Sequence, residues 1–309
     1  MPMPAEFTEI AKRVNNWGRW GADDEIGTLN LITDEVVREA AELIRTGKRI
    51  SLALPLQQDG VQTGAMPGRT NPLHTMTLIN CEVFGPGTVA TSDDTVSMGL
   101  QAATHWDGLT HVSYEDRLYN GFSAKDSITA HGGAEKLGIE KAKHIASRGV
   151  LLDVARAYGV DRLDDALAIG PAELEAAEEL AGTTVRSGDI VLVRTGVMRS
   201  YLAGDKTRYY PPAAGLSLHA PEWFHARDVA AVAVDTVAFE IFPPEIENCF
   251  MPVHALHLVE MGMLQGQNWN LEELSEDCAA DGLYAFFLEA SPEPFVGGSG
   301  TPVNPIAIK

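Results

Sequence analysis

The sequence predicts an α/β protein in which helices alternate with buried strands. Helix patterns with recognisable ends recur along the chain, and short apolar runs of strand length fall between them. At 309 residues and 45% hydrophobic content the chain can bury a large core without staples. It contains no repeat, low-complexity tract or Gly/Ser- or Pro-rich linker that would mark a cut, so a single domain over residues 1–309 is expected.

In chain order, the first clear helix pattern opens at Thr33, an N-cap residue type followed by Asp34 and Glu35. Val36, Val37, Ala40, Ala41, Leu43 and Ile44 then recur at helical spacing before Gly47. From Ile50 to Val89 the chain reads as loops and strands rich in Gly, Pro and Thr, the kind of segment that lines sites. Gly149 to Asp153 reads as a buried strand, and Pro171 to Gly182 as a helix in the Pro-first, Gly-last order that helices favour. Asp189 to Arg194 and Val229 to Val234 are further buried strands. Asn270, with Glu273 three residues on, gives a start resembling a capping box for a helix running through Cys278 to Gly282; Tyr284 to Leu288 is the last strand.

Charge narrows the function. With 23 basic and 43 acidic residues the net charge is −20 and the pI about 4.7, which repels a phosphate backbone, so no nucleic-acid partner is expected. The longest interior apolar run, Val229 to Val234, is far short of the ~20 residues a membrane span needs. The first seven residues lack the basic and apolar segments of an export signal, and a cytoplasmic setting is expected. Cys81, Cys249 and Cys278 lie far apart and are expected to be unpaired thiols.

Several chemistries have no visible motif. Gly215 to His219 carries His where a nucleophile elbow needs its second Gly, and neither a Walker loop nor a dinucleotide fingerprint opens any helix. Three isolated cysteines cannot build a Cys-rich zinc site. What remains is the run Gln101 to His111, which offers an amide, two imidazoles and a carboxylate. On a strand, His105 and Asp107 point to one face with α-carbons about 6–7 Å apart, a spacing that lets both side chains converge on one ion. Gln101 joins them only if the chain bends, which Ala102 and Ala103 permit; Gly108 marks a second bend before His111.

The stretch Thr104 to His111 resembles the signature His-x-Gly-Thr-His-x-Asp-x-Pro-x-His of the metal-dependent cyclase family, which includes bacterial kynurenine formamidase, isatin hydrolase and trans-dienelactone hydrolase. Trp20 to Thr33, Gly188 to Gly196, Ala233 to Asp235 and Gly300 to Lys309 resemble its longer branch as well. The resemblance implies a swivelling β/β/α fold and a metal-dependent hydrolase that opens a cyclic amide or lactone or cleaves a formamide, with small-molecule substrates and a homo-oligomeric state, often a dimer.

Carried over residue by residue, His105 and Asp107 match metal ligands, and His111 matches the last histidine, here read as the proton shuttle. The first histidine of the pattern is Gln101, whose neutral amide oxygen is a weaker third ligand. The family's later histidine position falls on Ala255, with His254 one residue away, and its glutamate position falls on Gln267. One residue on an α-helix turns a side chain by about 100°. A single divalent ion is therefore expected, manganese or zinc, since a His/carboxylate/amide set suits either. His254 is kept as a substrate contact, and Trp20 and Trp106 as candidate walls of the substrate pocket. The amides at Gln101 and Gln267 also allow a second reading, a degenerate relative that binds a small carbonyl compound without hydrolysing it.

Overall fold

The computed structural model describes residues 3–247 and 249–309. Its main element is a nine-stranded sheet. In chain order the strands needed below are β1 (Arg49–Ser51), β2 (Leu73–Cys81), β3 (Thr91–Ser97), β4 (His105–Asp107), β5 (Ala146–Asp153), β6 (Ile190–Arg194), β7 (Ala231–Val234), β8 (Leu264–Gln267), β9 (Ala285–Glu289), β10 (Gly300–Pro302) and β11 (Ile306–Ile308). The sheet runs β1-β11-β9-β5-β6-β7-β8-β4-β10. The central strands β5 to β8 are parallel, and antiparallel strands extend both ends.

Parallel strands are covered on both faces, which is why these read as continuous apolar runs. Val150, Leu152, Val191, Val193, Val232 and Val234 pack on one face. Against them lie helices α1 (Ala5–Val14), α3 (Pro171–Ala181) and α4 (Ala220–Ala226). Leu151, Ile190, Leu192, Ala231 and Ala233 pack on the other face with Trp106, Trp269 and helix α5 (Glu272–Asp281). Helix α2 (Asp34–Ala41) packs along β5.

Most of the expected elements are present, with shifted ends. Thr33 caps α2 by accepting from the Val36 amide, but the helix stops at Ala41. Beyond it, Leu43 and Ile44 bond three residues back, to Ala40 and Ala41, so the end tightens into turns. Asn270 sits one residue ahead of the cap position of α5, which Leu271 takes. Helix α1 lies outside the expected elements; Phe7, Ile10, Ala11 and Val14 give it a core-facing stripe. In the segment after Ile50, β2 and β3 form a hairpin outside the main sheet with both strands almost wholly exposed. The three cysteines are free thiols. No helix among the described residues is long and apolar enough to cross a membrane.

Candidate active site

The site is built on β4, which lies between β8 and β10. Asp107 pairs with Gln265 and Gly300, Trp106 with Gly266 and Thr301, and His105 with Gln267 and Pro302. Alternation along the strand puts His105 and Asp107 on one face with Gln265 and Gln267 beside them. The same alternation turns Trp106 to the opposite face. There it is fully buried, its indole 4.8 Å from that of Trp269 and its Nε1–H donated to the Ala290 carbonyl. Trp106 is therefore a core residue and not a wall of the pocket. Gly266 makes room for this packing, since a Cβ there would stand 2.5 Å from the Trp269 indole nitrogen.

Asp107 is the hub. Its carboxyl is completely buried, with Oδ1 3.4 Å from His105 Nε2 and 3.6 Å from His111 Nε2. Oδ2 accepts from the side-chain amides of Gln267 at 2.5 Å and Gln265 at 3.3 Å, and lies 3.8 Å from His254 Nε2. Burial alone pushes this carboxyl up, but the positive charge that His111, His105 and His254 carry when protonated holds it well below the ordinary carboxylate range. His105 donates from Nδ1 to the Ala103 carbonyl at 2.7 Å, so its Nε2 presents a lone pair to Asp107. The turn after Gly108, closed by the His111 amide on the Gly108 carbonyl, brings the His111 ring back to the carboxylate. Burial pushes the His111 imidazole down to about 4, with His254, Arg69 and His105 adding to the effect and Asp107 opposing it.

Gln101 lies on the bend before β4. Its amide nitrogen is 3.4 Å from Ser299 Oγ and rests over Gly300, where a Cβ would come within 2.6 Å of it. Gly300 in turn pairs with Asp107, so the amide nitrogen sits over the strand next to β4. Thr104 locks the bend, accepting from the Leu54 amide and donating to the Asn268 carbonyl.

His254 also faces this cluster, contrary to the rotation that an α-helical count gives. The helix opens as a short α-turn, Pro252–His254, and continues as a π-helix over Ala255–Met261. A π-helix takes more residues per turn, so it absorbs a one-residue offset. His254 Nε2 meets the Gln267 amide at 3.2 Å, and its Nδ1 is bonded to the Glu240 carboxylate. Glu240 also accepts from the Val253 amide and so anchors the start of the helix. His257 is buried away from the cluster, its ring edge-on to Phe224 and Phe239. Trp20 is half-buried, with the Arg19 guanidinium 4.7 Å from its ring; Arg19 in turn pairs with Asp228.

Three contributors have no local signature in the sequence: Glu240 behind His254, Gln265 on Asp107, and Arg69, whose Nη2 is 3.1 Å from His111 Nε2. Each acts across a long loop or between strands, and proximity of that kind is a tertiary property.

Among the described residues no three His, Cys, Asp or Glu side chains are already arranged to hold an ion. The atoms that fit one are fewer. His105 Nε2 and Asp107 Oδ1 are buried, have no hydrogen-bond partner among the described residues and face each other with lone pairs, a pairing that a cation relieves.

The family described as "Putative cyclase" matches residues 38–241, a span that includes Gln101, His105, Asp107 and His111. The chain belongs to this cyclase family. Among solved structures, one described as a novel cyclase is 38% identical, with a TM-score of 0.88, and the match covers 97% of this chain and 99% of that one. Isatin hydrolase A from Labrenzia aggregata, bound to benzyl benzoate, shares the cyclase fold at a TM-score of 0.60 and 18% identity, over 87% of this chain and 94% of that one. A predicted metal-dependent hydrolase from Bacillus stearothermophilus shares it at 0.53 and 14%, over 85% and 98%. No curated protein matches. The fold is thus the swivelling β/β/α architecture that the motifs imply.

Proposed function

We propose that this cyclase-family chain is a metal-dependent hydrolase that opens a cyclic amide or lactone, or cleaves a formamide, in a single domain spanning residues 1–309. The observation that carries the reading is the convergence of the His105 and His111 imidazoles on one buried, ionised Asp107 oxygen. The names of the structures that share the fold, isatin hydrolases and metal-dependent hydrolases, point the same way.

His105, Asp107 and Gln101 would hold one divalent ion, manganese or zinc. Bound there, the ion polarises the scissile carbonyl and acidifies a water. The chain's own residues prepare that chemistry. The Ala103 carbonyl fixes the His105 tautomer with Nε2 free, and the Gln265 and Gln267 amides orient Asp107 by occupying Oδ2, which leaves Oδ1 as its donor. His111, neutral near pH 7, takes a proton at Nε2 and returns it to the departing nitrogen or oxygen. His254, held by Glu240 on the far side of Asp107, would contact substrate, and the half-buried Trp20 would wall the pocket.

Turnover of matched N-formyl, lactone and cyclic-amide substrates, with and without a chelator, tests the reading. Metal-dependent hydrolysis of one class is expected. A protein that carries metal and binds carbonyl compounds but turns none over would favour the degenerate binder, which the amides at Gln101 and Gln267 motivate. A homo-oligomer and a cytoplasmic setting complete the proposal; the three free thiols support a reducing compartment, and light scattering of the purified protein reads the first.

A further inference from the structure

Arg69 is out of keeping with the other arginines. Each of the five others that are not exposed, Arg148, Arg156, Arg162, Arg194 and Arg227, has a carboxylate within 4 Å. Arg69 is half-buried and, among the described residues, has none, in a chain with 43 acidic residues against 23 basic ones. Its guanidinium is spent instead on the His111 ring, an imidazole acceptor that is not an anion. A guanidinium presents several N–H donors in a planar fork that matches a carboxylate, and one imidazole nitrogen uses a single one of them.

Its position is defined. The Arg69 amide closes a turn on the Met66 carbonyl, and the next residue, Thr70, accepts from the Gly99 amide at the root of the exposed hairpin. Gly99 is followed two residues later by Gln101, so the arginine stands at the rim of the candidate site. The field of the whole protein, at −20, opposes the approach of an anion, and a local unpaired cation at the rim offsets that repulsion where it matters.

We propose that Arg69 is a specificity-determining residue that binds a carboxylate carried by the substrate, next to the bond that is cleaved. With Nη2 3.1 Å from His111 Nε2, a carboxylate oxygen bonded to Arg69 lies within about 6 Å of His111 Nε2, and so within about 9 Å of the atom that exchanges a proton with it. The substrate class is therefore a lactone, cyclic amide or N-formyl compound with a carboxylate a few bonds from its scissile carbonyl. Binding of the anion draws Arg69 from His111 Nε2 and frees that lone pair for its proton transfer, so substrate recognition and release of the base are one event. For its reaction the proposal rests on the hydrolytic reading above; for its anion binding it does not.

Two measurements separate the two. Calorimetry of benzoate and its neutral analogue benzamide is done on the metal-loaded wild type, Arg69→Gln and Arg69→Lys. Benzoate is expected to weaken by about tenfold or more in Arg69→Gln and by less in Arg69→Lys, with benzamide unchanged. Equal benzoate affinity in wild type and Arg69→Gln, as direct ligation by the ion would produce, overturns the proposal, as does an equal loss for both probes. Turnover of a carboxylate-bearing lactone against its methyl ester is then compared. A loss in Arg69→Gln confined to the acid and expressed in KM is expected, and an equal loss on both overturns the substrate assignment. Absence of turnover for every substrate in the wild type counts against the hydrolase, while the benzoate experiment still decides Arg69.

Discussion

His105 Nε2 and Asp107 Oδ1 face each other at 3.4 Å across the interior of the site, and neither has a hydrogen-bond partner among the described residues. Two buried lone-pair atoms so placed need a proton or a cation between them. Their neighbours leave them free for it, because Ala103 takes the other nitrogen of His105 and two glutamine amides take the other oxygen of Asp107.

Replacing either residue with Ala should remove the bound ion and leave the fold. Elemental analysis of the purified variants, with circular dichroism for folding, checks this. Full metal occupancy in His105→Ala or Asp107→Ala excludes that residue as a ligand.

Asp107 Oδ2 already accepts from two amides, so about one ion per chain is expected. Gln267→Glu replaces a donating amide, 2.5 Å from Asp107 Oδ2 and 3.2 Å from His254 Nε2, with a carboxylate. The stoichiometry of this variant should rise toward two, because carboxylate, carboxylate and imidazole then converge. A wild-type ratio near two would refute the single-ion assignment.

His111→Ala should retain its metal and lose about 10²–10⁴-fold in kcat, the usual cost of a missing acid/base group. The base must be neutral to act. Because burial brings its imidazole down to about 4, activity should persist through pH 6 and fall as the pH drops toward 4, instead of fading near the ordinary imidazole value. An acid limb near 6.5, or a variant with undiminished turnover, moves the shuttle role elsewhere, with His254 next in position.

Gly266→Ala tests the scaffold under the site. The new methyl would press on the Trp269 indole at 2.5 Å and the Ala233 side chain at 2.7 Å, both fully buried. Overpacking of this kind costs about 1–3 kcal/mol. Thermal unfolding should register the loss, and an unchanged melting temperature would mean that the strand relaxes freely.

Much of the site is legible in eleven consecutive residues. His105 and Asp107 share a face because a strand alternates, and the bend after Gly108 that brings His111 to Asp107 follows from a residue with no side chain. The same alternation, applied to the residue between, would have sent Trp106 to the core.

The central strands, the capped helices and the cyclase family were determined by the sequence itself, since each rests on local periodicity or on a contiguous motif. Tertiary structure alone decided the rest. Glu240 meets His254, Gln265 meets Asp107 and Arg69 meets His111 across separations that no local rule spans. The facing of His254 hung on whether its helix winds as α or π, a difference of one residue in the hydrogen-bond span that packing settles and local spacing does not encode.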